Sequence, residues 1–275
     1  LIPHFLEVIK MRSQMFFTEN DRIQSILSRH RISQGNLYHY TKNEIAKKIC
    51  DTKEFRLSRA DTFLDDEEIK YGVGILRKLA EHTLKGRTKE LFLEFLNTIN
   101  TMLQKCYVFS LSQVGNSQYL LERYSDGKTV IKLIENFAFF LIGESCHFKP
   151  IKNGTGNKLY HCSHLYRCYE GFVEYQQSEQ EEEAKEICEA FQSLNDHLQA
   201  NQFHPVDQFH FSRAIVIFII LCKKEKYCEE EEYRIALISN NKEKNEFEEK
   251  ENDRIFISLR IAPAIDCCEL MGINN

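Results

Sequence analysis

The chain has 275 residues, 43% of them hydrophobic, and a formal net charge of −5 at neutral pH. That is enough apolar material for one large domain or two small ones, and the mild charge carries no footprint for broad nucleic-acid binding. The longest apolar run, residues 214–222, is far too short to cross a bilayer, and no secretory signal pattern shows in the opening residues.

Tryptophan is absent and phenylalanine abundant at 20, so Phe and Tyr must fill the interior. Ten cysteines make no C-x-x-C pair, and in a chain of this length they read as reduced, mostly buried thiols of a cytosolic protein. The nearest thing to a metal cluster is His161-Cys162-Ser163-His164 followed by Cys168. Its spacing fits no common zinc pattern, so no metal is expected.

Residues 1–35 read as an N-terminal helical segment, with Leu6, Ile9 and residues 15–17 on an apolar stripe and a second short helix over 23–28. Residues 36–275 read as the main domain. Residues 37–41 predict a short strand with Tyr38 and Tyr40 on one face and Leu37, His39 and Thr41 on the other. A helix follows over 42–50, then a strand over 54–58. The acidic stretch 61–68 reads as a polar loop whose carboxylates could equally cap the next helix. Residues 69–104 carry a long helical pattern, broken near Gly86, that suggests a helical hairpin laid on a sheet.

Residues 106–112 predict a strand with Ser110 and Ser112 on one face. Residues 119–124 read as a short helix or bend stopped at Asp126-Gly127. Strands are expected over 129–134 and 137–142, a loop over 148–160, and strand again over 159–175. Residues 178–200 predict a charged helix, a second helical insertion, with Ile187, Ala190, Phe191 and Leu194 on its inner side. The apolar run 213–222 reads as a central strand buried on both faces. Residues 240–253 read as a polar hairpin loop and 254–261 as a final strand. The sum is a mixed α+β domain with helical insertions near 69–104 and 178–200.

The acidic run that enters an apolar strand at residues 227–239 is the most unusual stretch. Read as a strand, it places Glu230, Glu232, Arg234 and Ala236 on one face and Tyr233, Ile235 and Leu237 on the other. Crowded carboxylates at the start of a strand are costly unless they look into a cleft where they do chemistry. The plainer alternatives are a solvated acidic turn, or a helix whose Glu residues pair with Lys223, Lys224 and Lys226. A register shifted by one would make Glu229 and Glu231 the pair instead.

Four pieces, residues 38–41 (Y-H-Y-T), 63–68 (F-L-D-D-E-E), 107–112 (Y-V-F-S-L-S) with the 120–124 bend, and 230–234 (E-E-E-Y-R), occur in this order. In that order they resemble a bacterial family of unknown function. The family usually has Asn where Leu64 stands and Trp where Leu121 stands, so the chain looks like a divergent member. The same order is similar to the ADP-ribosyltransferase fold, a split antiparallel β-sandwich in which an early His or Arg, a middle Ser or Tyr and a late Glu surround NAD.

The resemblance implies an NAD-dependent mono-ADP-ribosyltransferase that modifies a protein target, at arginine, and releases nicotinamide. It would be a bacterial effector acting in the cytoplasm or in a host cytosol, with no metal and no membrane partner. The transition state of that reaction is oxocarbenium-like, which a nearby carboxylate stabilises. The resemblance gives this role to Glu232, and to Glu230 the orientation of an attacking guanidinium. His39 would hold the NAD ribose with Thr41 beside it. Ser110 and Ser112 would shape the nicotinamide pocket, Tyr124 or Tyr40 would stack on the ring, and Arg234 would keep a carboxylate ionised. Two consequences follow: His39 and Glu232 must face one groove, and loss of Glu232 must abolish transfer while leaving the thermal midpoint nearly unchanged. The alternatives are a catalytically inactive interaction module on the same scaffold, or a transferase acting on nucleic acid, which the net charge disfavours.

Overall fold

A computed structural model describes residues 35–63, 65–126, 129–150, 157–198, 205–240, 246–261 and 266–272. The helices expected before residue 35 lie outside the described residues. The elements run β1 (Leu37–Tyr40), α1 (Asn43–Thr52), β2 (Glu54–Arg59), a single turn α2 (Ala60–Phe63), α3 (Asp66–Thr83), α4 (Gly86–Asn97) and α5 (Ile99–Leu103). Next come β3 (Cys106–Ser112), α6 (Gln118–Tyr124), β4 (Thr129–Leu133), α7 (Phe137–Gly143), β5 (Ser145–Pro150), β6 (Asn157–His161), α8 (Cys162–Leu165) and β7 (Tyr166–Phe172). The rest is α9 (Gln177–Leu198), α10 (Pro205–Leu221), a 3-10 turn (Glu225–Glu230), β8 (Glu232–Ser239), β9 (Glu248–Glu251), β10 (Arg254–Ile261) and β11 (Cys268–Gly272). The fold is α+β, and every ladder among these strands is antiparallel.

The sheet forks at β3. One edge of β3 pairs along its whole length with β8, which pairs in turn with β7. The other edge meets β1 at the Ser112 end and β2 at the Tyr107–Val108 end. One wing continues through β4 to β11, the other through β10 to β5, β6 and β9. Between the wings lies an apolar core that includes Leu37, Phe55, Phe109, Ile131, Ile235 and Ile257. The opposite face of β3 and β8 turns Val108, Ala236 and Ile238 toward a second core shared with α3, α4, α9 and α10. Strand alternation in β8 therefore feeds both cores, and all eight of its residues are buried.

Several sequence expectations change. The run 213–222, expected as a central strand, is the C-terminal part of α10. Residues 211–221 are buried all round, so no polar face was left to mark the helical period. Gly72 lets α3 come close: a Cβ there would lie 3.1 Å from the Cα of Ile219. Residues 137–142, expected as a strand, form α7, with Phe137, Ala138 and Leu141 buried at helical spacing. The single strand expected over 159–175 is broken by α8 between β6 and β7. The supposed loop 148–160 contributes its ends to β5 and β6, where Lys149 opposes Lys158. The polar stretch 240–253 contains β9, which pairs with β10. Of the two readings of 61–68 the capping one holds: Asp65 caps α3, its carboxylate accepting the Glu68 N–H at 2.6 Å.

Candidate functional site

The acidic run folds in two pieces rather than as one strand. The 3-10 turn ends at Glu230 and β8 starts at Glu232, so Glu230 is not on the strand as the alternation had it. Between them Glu231 adopts a left-handed conformation, φ 39° and ψ 51°. A non-glycine residue there costs about 1 kcal/mol. The kink turns both flanking carboxylates onto Lys223, whose Nζ lies 2.5 Å from Glu230 and 3.2 Å from Glu232. Glu229 and Glu231, the competing pair, are exposed to solvent.

Arg234 completes the cluster. Its Nε and Nη2 each donate to one oxygen of Glu232 at 2.8 Å, and Nη1 donates to the Ile220 carbonyl at 2.5 Å. Nη2 also reaches Glu68 at 3.0 Å, and Lys223 reaches the other Glu68 oxygen at 3.1 Å. Glu68 is placed by the Asp65 cap, in a first helical turn whose three acids suit the positive end of the helix dipole. Lys223 is placed by its backbone, which donates to the Glu174 carbonyl and accepts from Gln180. Five charged groups from α3, the end of α10, the 3-10 turn and β8 thus converge.

Glu232 is only 7% exposed and Arg234 2%. Burial alone would push the Glu232 carboxyl up, but Arg234 and Lys223 outweigh it and hold the group down at about 2. The Ser110 hydroxyl adds to that lowering from beside the carboxylate, although it falls outside hydrogen-bond geometry. The same attractions outweigh burial at Lys223 and Arg234 and raise both. Glu232, Lys223 and Arg234 are therefore all held in their charged forms through the neutral range. The cluster's three carboxylates exceed its two cations by one, and Arg123, 44% exposed at the rim, approaches Glu230 at 3.6 Å.

The remaining expected site residues divide by sheet face. Ser110 opposes Arg234, and Ser112 opposes Glu232 across the β3–β8 ladder, so all four share a face. Tyr124 joins them from α6, its hydroxyl donating to Glu230 at 3.1 Å while its ring stays 43% exposed. Burial, then the Glu230 charge, push the Tyr124 hydroxyl up to about 12. Ser112 Oγ accepts the Val114 N–H, and Tyr40 donates to the Val114 carbonyl and accepts from Ser117. Those two residues shape the loop after β3. Thr41 sits half-buried in the turn between β1 and α1.

His39 is not in the cluster. Tyr38 opposes Ser112, which opposes Glu232, so the next residue in β1 points through the sheet to the other side. There the His39 ring lies 4.6 Å from Phe109, and its Nδ1 is 3.2 Å from the Ser110 carbonyl. Burial lowers it to about 4. The expected groove with an early imidazole opposite a late carboxylate is therefore absent from this arrangement.

Other residues contribute that the sequence does not mark as site residues. Lys223 reads there only as a helical partner of the Glu run. Tyr175, whose hydroxyl accepts the Glu232 N–H at 3.1 Å, carried no signal. Tyr38 lies over Gly115, where a Cβ would meet its ring at 2.6 Å. Glu68 reads in the sequence as a cap or a ligand contact; Asp65 takes the cap, and Glu68 joins Lys223 and Arg234 instead. Comparison with protein-family models, curated proteins and solved structures gave no match.

Proposed function

We propose that this chain is a non-enzymatic interaction module whose buried ionic cluster is a structural latch joining the helical layer to β8. The observation that carries the reading is the commitment of Glu232: Arg234 takes both its oxygens and Lys223 shares one. These bonds take three of the carboxylate's about four lone-pair sites, the group is only 7% exposed, and His39 lies across the sheet from it. The exposed acids Glu225, Glu229 and Glu231, beside exposed Tyr124 and Arg123, form the rim above the latch and suit a basic segment of a protein partner. Calorimetric titration with NAD tests this. The module reading expects no heat and no nicotinamide release; micromolar binding with slow release of nicotinamide would overturn it.

One observation favours a second reading, the NAD-dependent mono-ADP-ribosyltransferase acting on a protein arginine. Ser110, Ser112, Glu232 and Arg234 share one face of a forked antiparallel sheet, and Tyr124 bonds Glu230 there. In that reading Arg234 and Lys223 release Glu232 when the dinucleotide enters, and the ribose is gripped without His39. Glu232 would then stabilise the oxocarbenium-like centre and Glu230 would orient the acceptor. Transfer of labelled ADP-ribose by the wild type, lost in Glu232→Gln, is the result that would establish it.

A further inference from the structure

Away from the ionic cluster, the C-terminal end of α1 meets the start of β11, and three cysteines gather there. The Sγ atoms of Cys50 and Cys268 lie 3.7 Å apart, and the Lys53 ammonium lies 3.6 Å from Cys268 Sγ. Cys267 is the neighbouring residue and is fully buried. The lysine is held firmly. Its left-handed backbone caps α1 by donating to the Ile49 carbonyl, and its own carbonyl accepts the Ile261 N–H. Asp266 lies 3.8 Å from the ammonium. The Cys267 carbonyl is fixed by the Ile134 N–H at 3.2 Å. Cys50 is half-buried and touches the more deeply buried Cys268.

We propose that Cys50 and Cys268 are a redox-sensitive pair that a peroxide converts to a disulfide stapling α1 to β11. The steps balance with peroxide as the oxidant. The Cys268 thiolate attacks one peroxide oxygen, the O–O bond breaks, and the departing hydroxide takes a proton to become water. Cys268 is now a sulfenic acid, oxidised by two electrons. Cys50 then loses its proton and attacks Cys268 Sγ; the S–O bond breaks, water leaves and the S–S bond forms. A hydrogen bond from Cys267, another from Cys50 and the Lys53 charge favour the Cys268 thiolate against the penalty of its burial. Only a short movement is required, since the two sulfurs already touch, whereas a Cys267–Cys268 disulfide would force an eight-membered ring on the chain.

The test treats the whole chain with near-stoichiometric hydrogen peroxide, alkylates the remaining thiols and maps the peptides by mass spectrometry. The expected product is a Cys50–Cys268 cross-link that reducing agent reverses, with a thermal midpoint raised by about 5 °C. Cys50→Ser should stop at a sulfenic acid on Cys268, trapped by a dimedone probe. Cys267→Ser should leave the cross-link intact, and Lys53→Met should slow it by about tenfold. Cys228, exposed on the 3-10 turn, is the internal control for an accessible thiol outside the pair. A vicinal Cys267–Cys268 disulfide, oxidation confined to Cys228, or a cross-link that survives Cys50→Ser would each overturn the proposal.

Discussion

Replacing Glu232 by Gln separates a latch from a catalyst. Gln keeps the shape of the side chain but removes its charge, and its amide brings protons toward Arg234 and Lys223, which themselves only donate. Two routes give the cost. Holding the carboxyl at about 2 instead of 4.5 corresponds to about 3 kcal/mol in favour of the folded state. Breaking a buried ion pair ordinarily costs about 3–5 kcal/mol. The lower figure applies here because Glu68 and Glu230 remain to hold Lys223 and Arg234. For a chain of this size the thermal midpoint should fall by about 6 °C. The sign with pH follows from a depressed acid: the contribution is complete above pH 4.5 and is lost as pH falls toward 2. Urea unfolding of both proteins at pH 7 and pH 3 measures it, with a wide gap at pH 7 that narrows at pH 3. A variant within about 0.5 kcal/mol of wild type at pH 7 would refute the latch and return Glu232 to the role the resemblance gives it.

Arg234→Met should destabilise more than Glu232→Gln, because it leaves two buried carboxylates and the part-buried Glu68 with Lys223 as their sole buried cation; thermal scans of the two variants side by side give the order. Glu231→Gly should be neutral or stabilising by up to about 1 kcal/mol, since glycine accepts the left-handed kink without penalty; denaturant midpoints decide it. His39 should titrate near 4, so its ring stays neutral through the neutral range and its contribution to stability is lost only as pH falls from 6.5 toward 4. Proton NMR of the His39 ring checks this, and a midpoint near 6.5 would mean a solvated imidazole open to a ligand.

Much of the sheet was legible because it obeys local rules. Tyr233, Ile235 and Leu237 alternate with Arg234 and Ala236 as a strand requires, and the two sets go to opposite sides as expected. The spacing of Leu79, Leu91, Phe92 and Phe95 found the helices around Gly86 for the same reason. Failure came where context decides. Residues 213–222 have no polar face in either period, so burial of a helix on all sides looks like burial of a strand. The pair Glu230 and Glu232 does converge, but by a backbone reversal at Glu231 that alternation cannot express. Lys223 reaches the site only through the fold, since a lysine after an apolar run has no periodic signature. His39 shows the limit of matching short motifs. Tyr38 and Tyr40 sit on the cluster's side of the sheet, and one residue of register decides that the imidazole between them does not.

The most direct test is a double-mutant cycle on Glu68→Gln, in α3, and Arg234→Met, in β8, read from the free energy of unfolding at pH 7. The latch predicts a coupling of about 2 kcal/mol, because each change spoils the same contact between helix and strand, Arg234 Nη2 to Glu68 at 3.0 Å. Strictly additive losses would contradict it, for they would mean that the two side chains act independently and that the cluster does not hold α3 to the sheet.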